Sequence, residues 1–94
     1  MFPFNPGSIR SRVPHSSGVY VLYGRQKEIT YIGQSKDLQR RLMEHVQGYD
    51  SPCTASASYA AFELTPYPVT RERELLADFR RRNGRLPRCN DRAA

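Results

Sequence analysis

Two stretches dense in Val, Ile, Thr and Tyr dominate the first half of the chain, GVYVLY at 18–23 and EITYIG at 28–33, with Gly24, Arg25, Gln26 and Lys27 between them. β-Branched and aromatic residues on either side of a short polar break predict two antiparallel strands joined by a four-residue loop. Pairing Tyr23 with Glu28 sets Tyr20 opposite Tyr31, and directly opposed residues project from the same sheet face. The segment SKDLQRRLMEHVQG follows, with Leu38, Leu42 and Val46 at i, i+4 and i+8; it predicts an amphipathic helix capped by Ser35 or Asp37 and ended by Gly48. Residues 49–57 are small and polar and predict a loop. SYAAFEL at 58–64 alternates as a third strand, and TRERELLADFRRR predicts a second helix capped at Thr70, with a turn at Asn83-Gly84.

The 17 residues before this pattern carry Pro3, Pro6, Pro14 and Gly7, which predicts an entry segment without regular structure. The expected organisation is thus an entry segment at 1–17, one domain at 18–90 and a short tail at 91–94. A chain of 94 residues provides a single modest core. Its longest apolar run, Val19 to Tyr23, is far below the ~20 residues that cross a bilayer, and the opening MFPFNPGS lacks the pattern of a secretory signal. The expectation is a cytoplasmic protein with no membrane partner.

Charge narrows the partner. Lys and Arg number 15 against nine Asp and Glu, a formal net charge of +6. Eight of those cations fall in the last 24 residues and all eight are Arg, whose planar fork suits phosphate, so a nucleic acid is the expected partner. Cys53 and Cys89 stand 36 residues apart with only His15 and His45 as further soft ligands, which excludes the usual zinc spacings. Both cysteines are expected as reduced thiols. No glycine-rich phosphate loop is present.

Candidate chemistry lies on the two helices. At 100° per residue, Arg41 and His45 share one margin of the first apolar stripe, where both can face a site. On the second helix, Leu75, Leu76 and Phe79 define an apolar arc and Glu72 falls near its middle. A carboxylate aimed at a core must be protonated, paired or bound to a metal, unless it simply occupies a first turn favoured by the helix dipole.

Gly18-Val19-Tyr20, then Tyr31-Ile32-Gly33, then Arg41 ten residues after the second Tyr, form an ordered set that resembles the signature of the GIY-YIG nuclease superfamily. His45 four residues after Arg41, Glu72-x-x-Leu75-Leu76-x-x-Phe79 and Pro87-x-x-Asn90 extend the likeness over residues 17 to 90. Val19 replaces the usual middle Ile of the first tripeptide, and the span from Phe79 to Asn90 is longer than in the repair-type members.

The resemblance implies an α+β fold, a small three-stranded, mainly antiparallel sheet flanked by helices, with the active site on one sheet face. It implies metal-dependent hydrolysis of DNA phosphodiesters by Tyr20, Tyr31, Arg41, His45, Glu72 and Asn90. Glu72 would hold Mg²⁺, with Mn²⁺ able to substitute, since a hard ion with water and phosphate ligands needs only one protein carboxylate. Arg41 would clamp the phosphate. Tyr20, its phenolate favoured by neighbouring positive charge, would be the base, assisted by His45 or Tyr31. Asn90 would steady the site. Gly33, Lys36, Arg40, Arg80, Arg81 and Arg82 are the expected nucleic-acid contacts, and a separate protein could supply targeting. The alternative is a non-cleaving nucleic-acid-binding module of the same fold.

Overall fold

The structure, a computed structural model, describes residues 1–90; the expected tail at 91–94 lies outside the described residues. In chain order the elements are β1 (Phe2–Pro3), α1 (Pro6–Arg12), β2 (Gly18–Tyr23), β3 (Ile29–Ser35), α2 (Leu38–Val46), α3 (Pro52–Ala55), β4 (Tyr59–Leu64) and α4 (Pro68–Asn83). The sheet is antiparallel throughout and runs β1-β4-β2-β3. The α+β class and the three principal strands are those expected. A fourth strand of two residues, β1, extends the sheet beyond β4.

That added strand belongs to a segment read from sequence as irregular. Residues 1–17 instead contribute β1 and α1, and Phe2, Phe4, Ile9 and Val13 are buried in the main core beside Tyr20, Leu22, Leu38, Leu42 and Ala60. The prolines misled because Pro6 stands in the first turn of α1, where a missing N–H leaves no bond unmade. Asn5 completes that start by accepting the Ser8 N–H at 2.8 Å. Each large apolar side chain so buried is worth roughly 1.5–3 kcal/mol of transfer free energy, which holds the segment against the sheet.

The β2–β3 hairpin is displaced from its expected register. Tyr20 pairs with Gly33 and Leu22 with Tyr31, and an irregularity after Leu22 sets Tyr23 opposite Ile29. The turn closes through Lys27, in the left-handed region at φ 66°, a local choice that the strand pattern does not encode. A shift of two residues conserves the side to which every side chain points, so Tyr20 and Tyr31 still share a face, now as diagonal neighbours.

That face is covered by α2, whose Leu38 and Leu42 are fully buried. Asp37 caps α2 by accepting the Arg40 N–H at 3.1 Å, and Gly48 follows its end at φ 84°. The opposite face, bearing Val21 and Ile32, receives α4 through Leu75 and Phe79. Helix α4 begins at Pro68, two residues before the expected Thr70 cap, with Tyr67 preceding it and no side-chain cap. Its end is as expected: Gly84 turns left-handed at φ 73° and its N–H bonds the Arg80 carbonyl at 2.7 Å.

Within 49–57, expected as loop, Pro52–Ala55 form the short helix α3, capped by Ser51. The two cysteines are joined, contrary to the expectation of reduced thiols: a Cys53–Cys89 disulfide ties α3 to the C-terminal segment across 36 residues. That segment runs along the outer edge of β3, the Cys89 N–H donating to the Thr30 carbonyl at 2.9 Å. Covering the edge strand satisfies backbone groups that would otherwise face solvent. Only the folded chain reveals that α3 and this segment meet.

Candidate active site

Gly33 is the pivot of the site. A Cβ built there would lie 2.4 Å from both Cζ and Oη of Tyr20 and 2.8 Å from Cε2 of Tyr31. The phenol end of the Tyr20 ring therefore lies against the glycine, which fixes where its hydroxyl ends. Gly18 is constrained in the same way at the start of β2, since a Cβ would meet the Glu63 carbonyl oxygen of β4 at 2.3 Å and Leu38 Cδ1 at 2.8 Å. The two glycines let strand and helix approach closely enough to bury Tyr20, which is 1% exposed.

From α2, His45 enters the same space. Its Nε2 is 2.7 Å from the Tyr20 hydroxyl and its Nδ1 is 3.0 Å from Thr54 Oγ1 on α3. His45 was expected at the margin of the helix; it is fully buried. The rings of Tyr20, Tyr31 and His45 form a triangle with centroid separations of 6.1, 5.4 and 5.3 Å. Tyr31 is the part-exposed member.

Arg41, one turn before His45, borders the triangle. Its guanidinium bonds Glu44 at 3.1 Å and Asp50 at 3.1 Å and remains part-exposed. Burial works against the Arg41 charge, but the Tyr20 oxygen, Glu44 and Asp50 outweigh it and raise its pKa, so it is cationic at every accessible pH. The Arg41 partner in turn holds the Glu44 carboxyl below its usual range.

For Tyr20 the balance runs against the sequence expectation. Burial, and secondarily Tyr31, raise its pKa well above the usual tyrosine value, and Arg41 only partly opposes this. Tyr20 is accordingly a neutral phenol at neutral pH, because desolvation of the phenolate outweighs attraction to one guanidinium.

Asn90 completes the β3 side. Its Oδ1 accepts the Ile32 N–H and its Nδ2 donates to the Ile32 carbonyl, both at 2.9 Å. One side-chain amide thereby clamps the backbone residue between Tyr31 and Gly33. Glu72 is carried by α4, one turn before Leu75. It is half-buried, and burial raises its carboxyl pKa despite the nearby Arg73 charge. The structure brings Tyr20, Tyr31, His45 and Gly33 together with Arg41 beside them, Asn90 holds the β3 backbone between Tyr31 and Gly33, and Glu72 is contributed by α4.

The expected nucleic-acid contacts are more dispersed. Lys36 is exposed before α2, and Arg40 is exposed and paired with Glu44 at 2.7 Å. Arg80, Arg81 and Arg82 are exposed at the end of α4, where Arg81 and Arg82 both pair with Asp78. Asp50, Ser51 and Thr54 were missed by the sequence reading. The Ser51-Pro52 pair, a capping residue before a first-turn proline, was the available signal for α3.

Among the described residues, no helix is long and apolar enough to cross a membrane, and no group of three or more His, Cys, Asp or Glu is gathered to hold a metal ion.

The model of the GIY-YIG catalytic domain matches residues 16–83. UvrABC system protein C of Vibrio parahaemolyticus is 40% identical over 43 residues, which are 46% of this chain and 7% of that protein. The protein of the same name from Finegoldia magna is 30% identical over 58 residues, 62% of this chain and 10% of that protein. The chain thus matches about a tenth or less of either relative's length. Among solved structures, the magnesium-bound GIY-YIG N-terminal endonuclease domain of UvrC from Thermotoga maritima superposes with TM-score 0.60 at 19% identity, covering 86% of this chain and 93% of that one. A point mutant of that domain bound to the catalytic divalent cation gives 0.59 at 18% identity, with 86% and 92% covered. The fold is shared with that domain, and by the match over residues 16–83 this chain belongs to the GIY-YIG family.

Proposed function

We propose that the protein is a divalent-metal-dependent endonuclease that hydrolyses DNA phosphodiester bonds. The observation that carries this is the contact between the Tyr20 hydroxyl and His45 Nε2 at 2.7 Å beside the part-exposed Arg41. A buried phenol linked to an imidazole, next to a permanent cation, suits proton removal from water at a phosphate far better than it suits simple nucleic-acid binding.

Arg41 donates two hydrogen bonds to the scissile phosphate, exchanging part of its Glu44 and Asp50 pairing for the stronger anion, and offsets the charge that grows on the phosphoryl oxygens. Water enters between Tyr31 and Arg41, the part-exposed members. As it attacks phosphorus its proton passes to the Tyr20 oxygen while Tyr20 passes its own proton to His45 Nε2. One P–O bond forms to the incoming oxygen and one breaks to the departing nucleotide oxygen. Handing the proton to His45 removes the need for a free phenolate, which burial disfavours. Tyr31 orients the water, and Asn90 keeps the Tyr31–Gly33 backbone in register.

Glu72 is the residue that would hold Mg²⁺ or Mn²⁺. A half-buried carboxylate whose charge is disfavoured by desolvation fits a hard cation that restores that charge. When bound, the metal supplies Lewis-acid stabilisation of the phosphate and leaving oxygen. The relatives are named for the UvrABC system, which supports a DNA-repair setting, a DNA substrate, a targeting protein partner and a cytoplasmic location.

The test is cleavage of supercoiled plasmid and of a branched DNA in Mg²⁺, Mn²⁺ or EDTA by the wild type, Arg41→Ala and Glu72→Ala. Metal-dependent products that disappear in both variants are expected. Binding without cleavage on either substrate, unchanged by Glu72→Ala, would establish the non-cleaving module instead.

A further inference from the structure

We infer that Thr54 is a positioning residue that fixes the tautomer of His45, so that Nε2 is held unprotonated to receive the Tyr20 proton. The inference rests on the nuclease reading for its catalytic meaning, but its structural content stands on the hydrogen-bond geometry around Thr54 and the Asp50 carboxylate near Nδ1.

Thr54 is fully buried on α3, and its hydroxyl has one proton to give. The Ser51 carbonyl oxygen lies 3.2 Å away as an acceptor for that proton, in the i−3 position usual for a helical Thr hydroxyl. With the proton given to Ser51, the Thr54 oxygen faces His45 Nδ1 at 3.0 Å with lone pairs, the arrangement in which Nδ1 carries the imidazole hydrogen. Neutral imidazole has a single N–H, which leaves Nε2 as an acceptor 2.7 Å from the Tyr20 hydroxyl, and Tyr20 donates to it. The Ser51 hydroxyl lies 3.2 Å from the Thr54 oxygen and can donate to it in the same arrangement.

The electrostatics agree. Asp50 lies 3.8 Å from Nδ1, and a carboxylate on that side favours the hydrogen there. Tyr20 and Tyr31 are the other titratable rings around the imidazole, and Arg41 reaches the Nδ1 side through its 3.1 Å bond to Asp50, so the carboxylate there is itself paired with a cation. The opposite tautomer would turn the Thr54 hydroxyl away from Ser51, whose carbonyl would keep only the Ala55 N–H at 3.1 Å, and would make Tyr20 an acceptor unable to pass its proton onward. The disulfide is anchored at Cys53, the residue before Thr54, so the same helix that sets the tautomer is fastened to the segment carrying Asn90.

The experiment follows the ring nitrogens by ¹⁵N NMR at pH 8 in a His15→Gln background, where His45 is the only histidine left of two. Nδ1 is expected protonated and Nε2 pyridine-like in the parent and in Thr54→Ser, whereas Thr54→Val, which keeps the shape and deletes the hydroxyl, shifts population to the Nε2–H form. Parallel assays on plasmid with Mg²⁺ should show kcat lowered on the order of 10- to 100-fold in Thr54→Val with KM unchanged, and restored in Thr54→Ser. An Nε2–H signal in the parent, an unaltered tautomer in Thr54→Val, or a shifted tautomer with undiminished kcat overturns the inference. If the parent cuts nothing, the nuclease reading falls while the spectra still decide the tautomer.

Discussion

Replacing Gly33 by Ala isolates the contact that shapes the site. The backbone at Gly33 is ordinary paired strand, so no left-handed conformation is lost and the penalty is steric. The added methyl would stand 2.4 Å from Cζ and Oη of Tyr20 and 2.8 Å from Cε2 of Tyr31, inside van der Waals contact by about an ångström. Tyr20 cannot yield cheaply, being 1% exposed and bonded to His45 at 2.7 Å. Overpacking of this kind costs about 1–3 kcal/mol, and loss of the hydroxyl bond adds about 1 kcal/mol, so a total of roughly 2–4 kcal/mol is expected. Urea denaturation should show a lower midpoint with an unchanged slope. The decisive comparison is the same substitution in Tyr20→Ala, where the obstructing ring is gone. There the penalty should fall by about 1 kcal/mol or more, a coupling that a double-mutant cycle reads directly. A cost under about 0.5 kcal/mol in the parent, or an equal cost in both backgrounds, would refute the assignment of Gly33 to the Tyr20 ring.

Reducing the Cys53–Cys89 bond, which closes a loop across 36 residues, should destabilise the fold by roughly 3–4 kcal/mol on the chain-entropy argument, read as a lowered urea midpoint with reductant; an unchanged midpoint would exclude the bridge. For Glu72 the folded pKa is raised by burial, so its contribution is greatest at low pH and is lost as pH rises from the unfolded carboxyl range through the folded value. Glu72→Gln should therefore raise the melting temperature at pH 7 in EDTA but leave it nearly unchanged at pH 4, and Mg²⁺ should stabilise the parent and not the variant. Replacing Arg80, Arg81 and Arg82 together by Gln should flatten the salt dependence of DNA binding if the run touches phosphate, and an unchanged slope would remove it from the interface.

The order of the three principal strands and the two long helices between Gly18 and Asn83 was legible because hydrophobic period and turn chemistry are local, whereas α3 was read as loop. So was the placing of Tyr20 and Tyr31 on one face, since strand alternation survives an even register error. The same locality explains the failures. Pro6 reads as a breaker until Asn5 is seen to cap a helix over it, and the burial of Phe2, Phe4 and Ile9 depends on a sheet built from residues far along the chain.

The sequence by itself determined the three principal strands, the two principal helices and the residue types available for phosphate chemistry, because these follow from side-chain pattern and composition over a few residues. Tertiary structure alone decided that His45 is buried against Tyr20, that Asp50 and Thr54 hold Arg41 and His45, that Cys53 meets Cys89, and that α4 sets Leu75 and Phe79 against the face of Val21 and Ile32. Each of these is a contact between elements, fixed by how helices pack on a sheet. It also decided the protonation of Tyr20, because whether burial or a neighbouring cation wins depends on how much water the folded chain excludes.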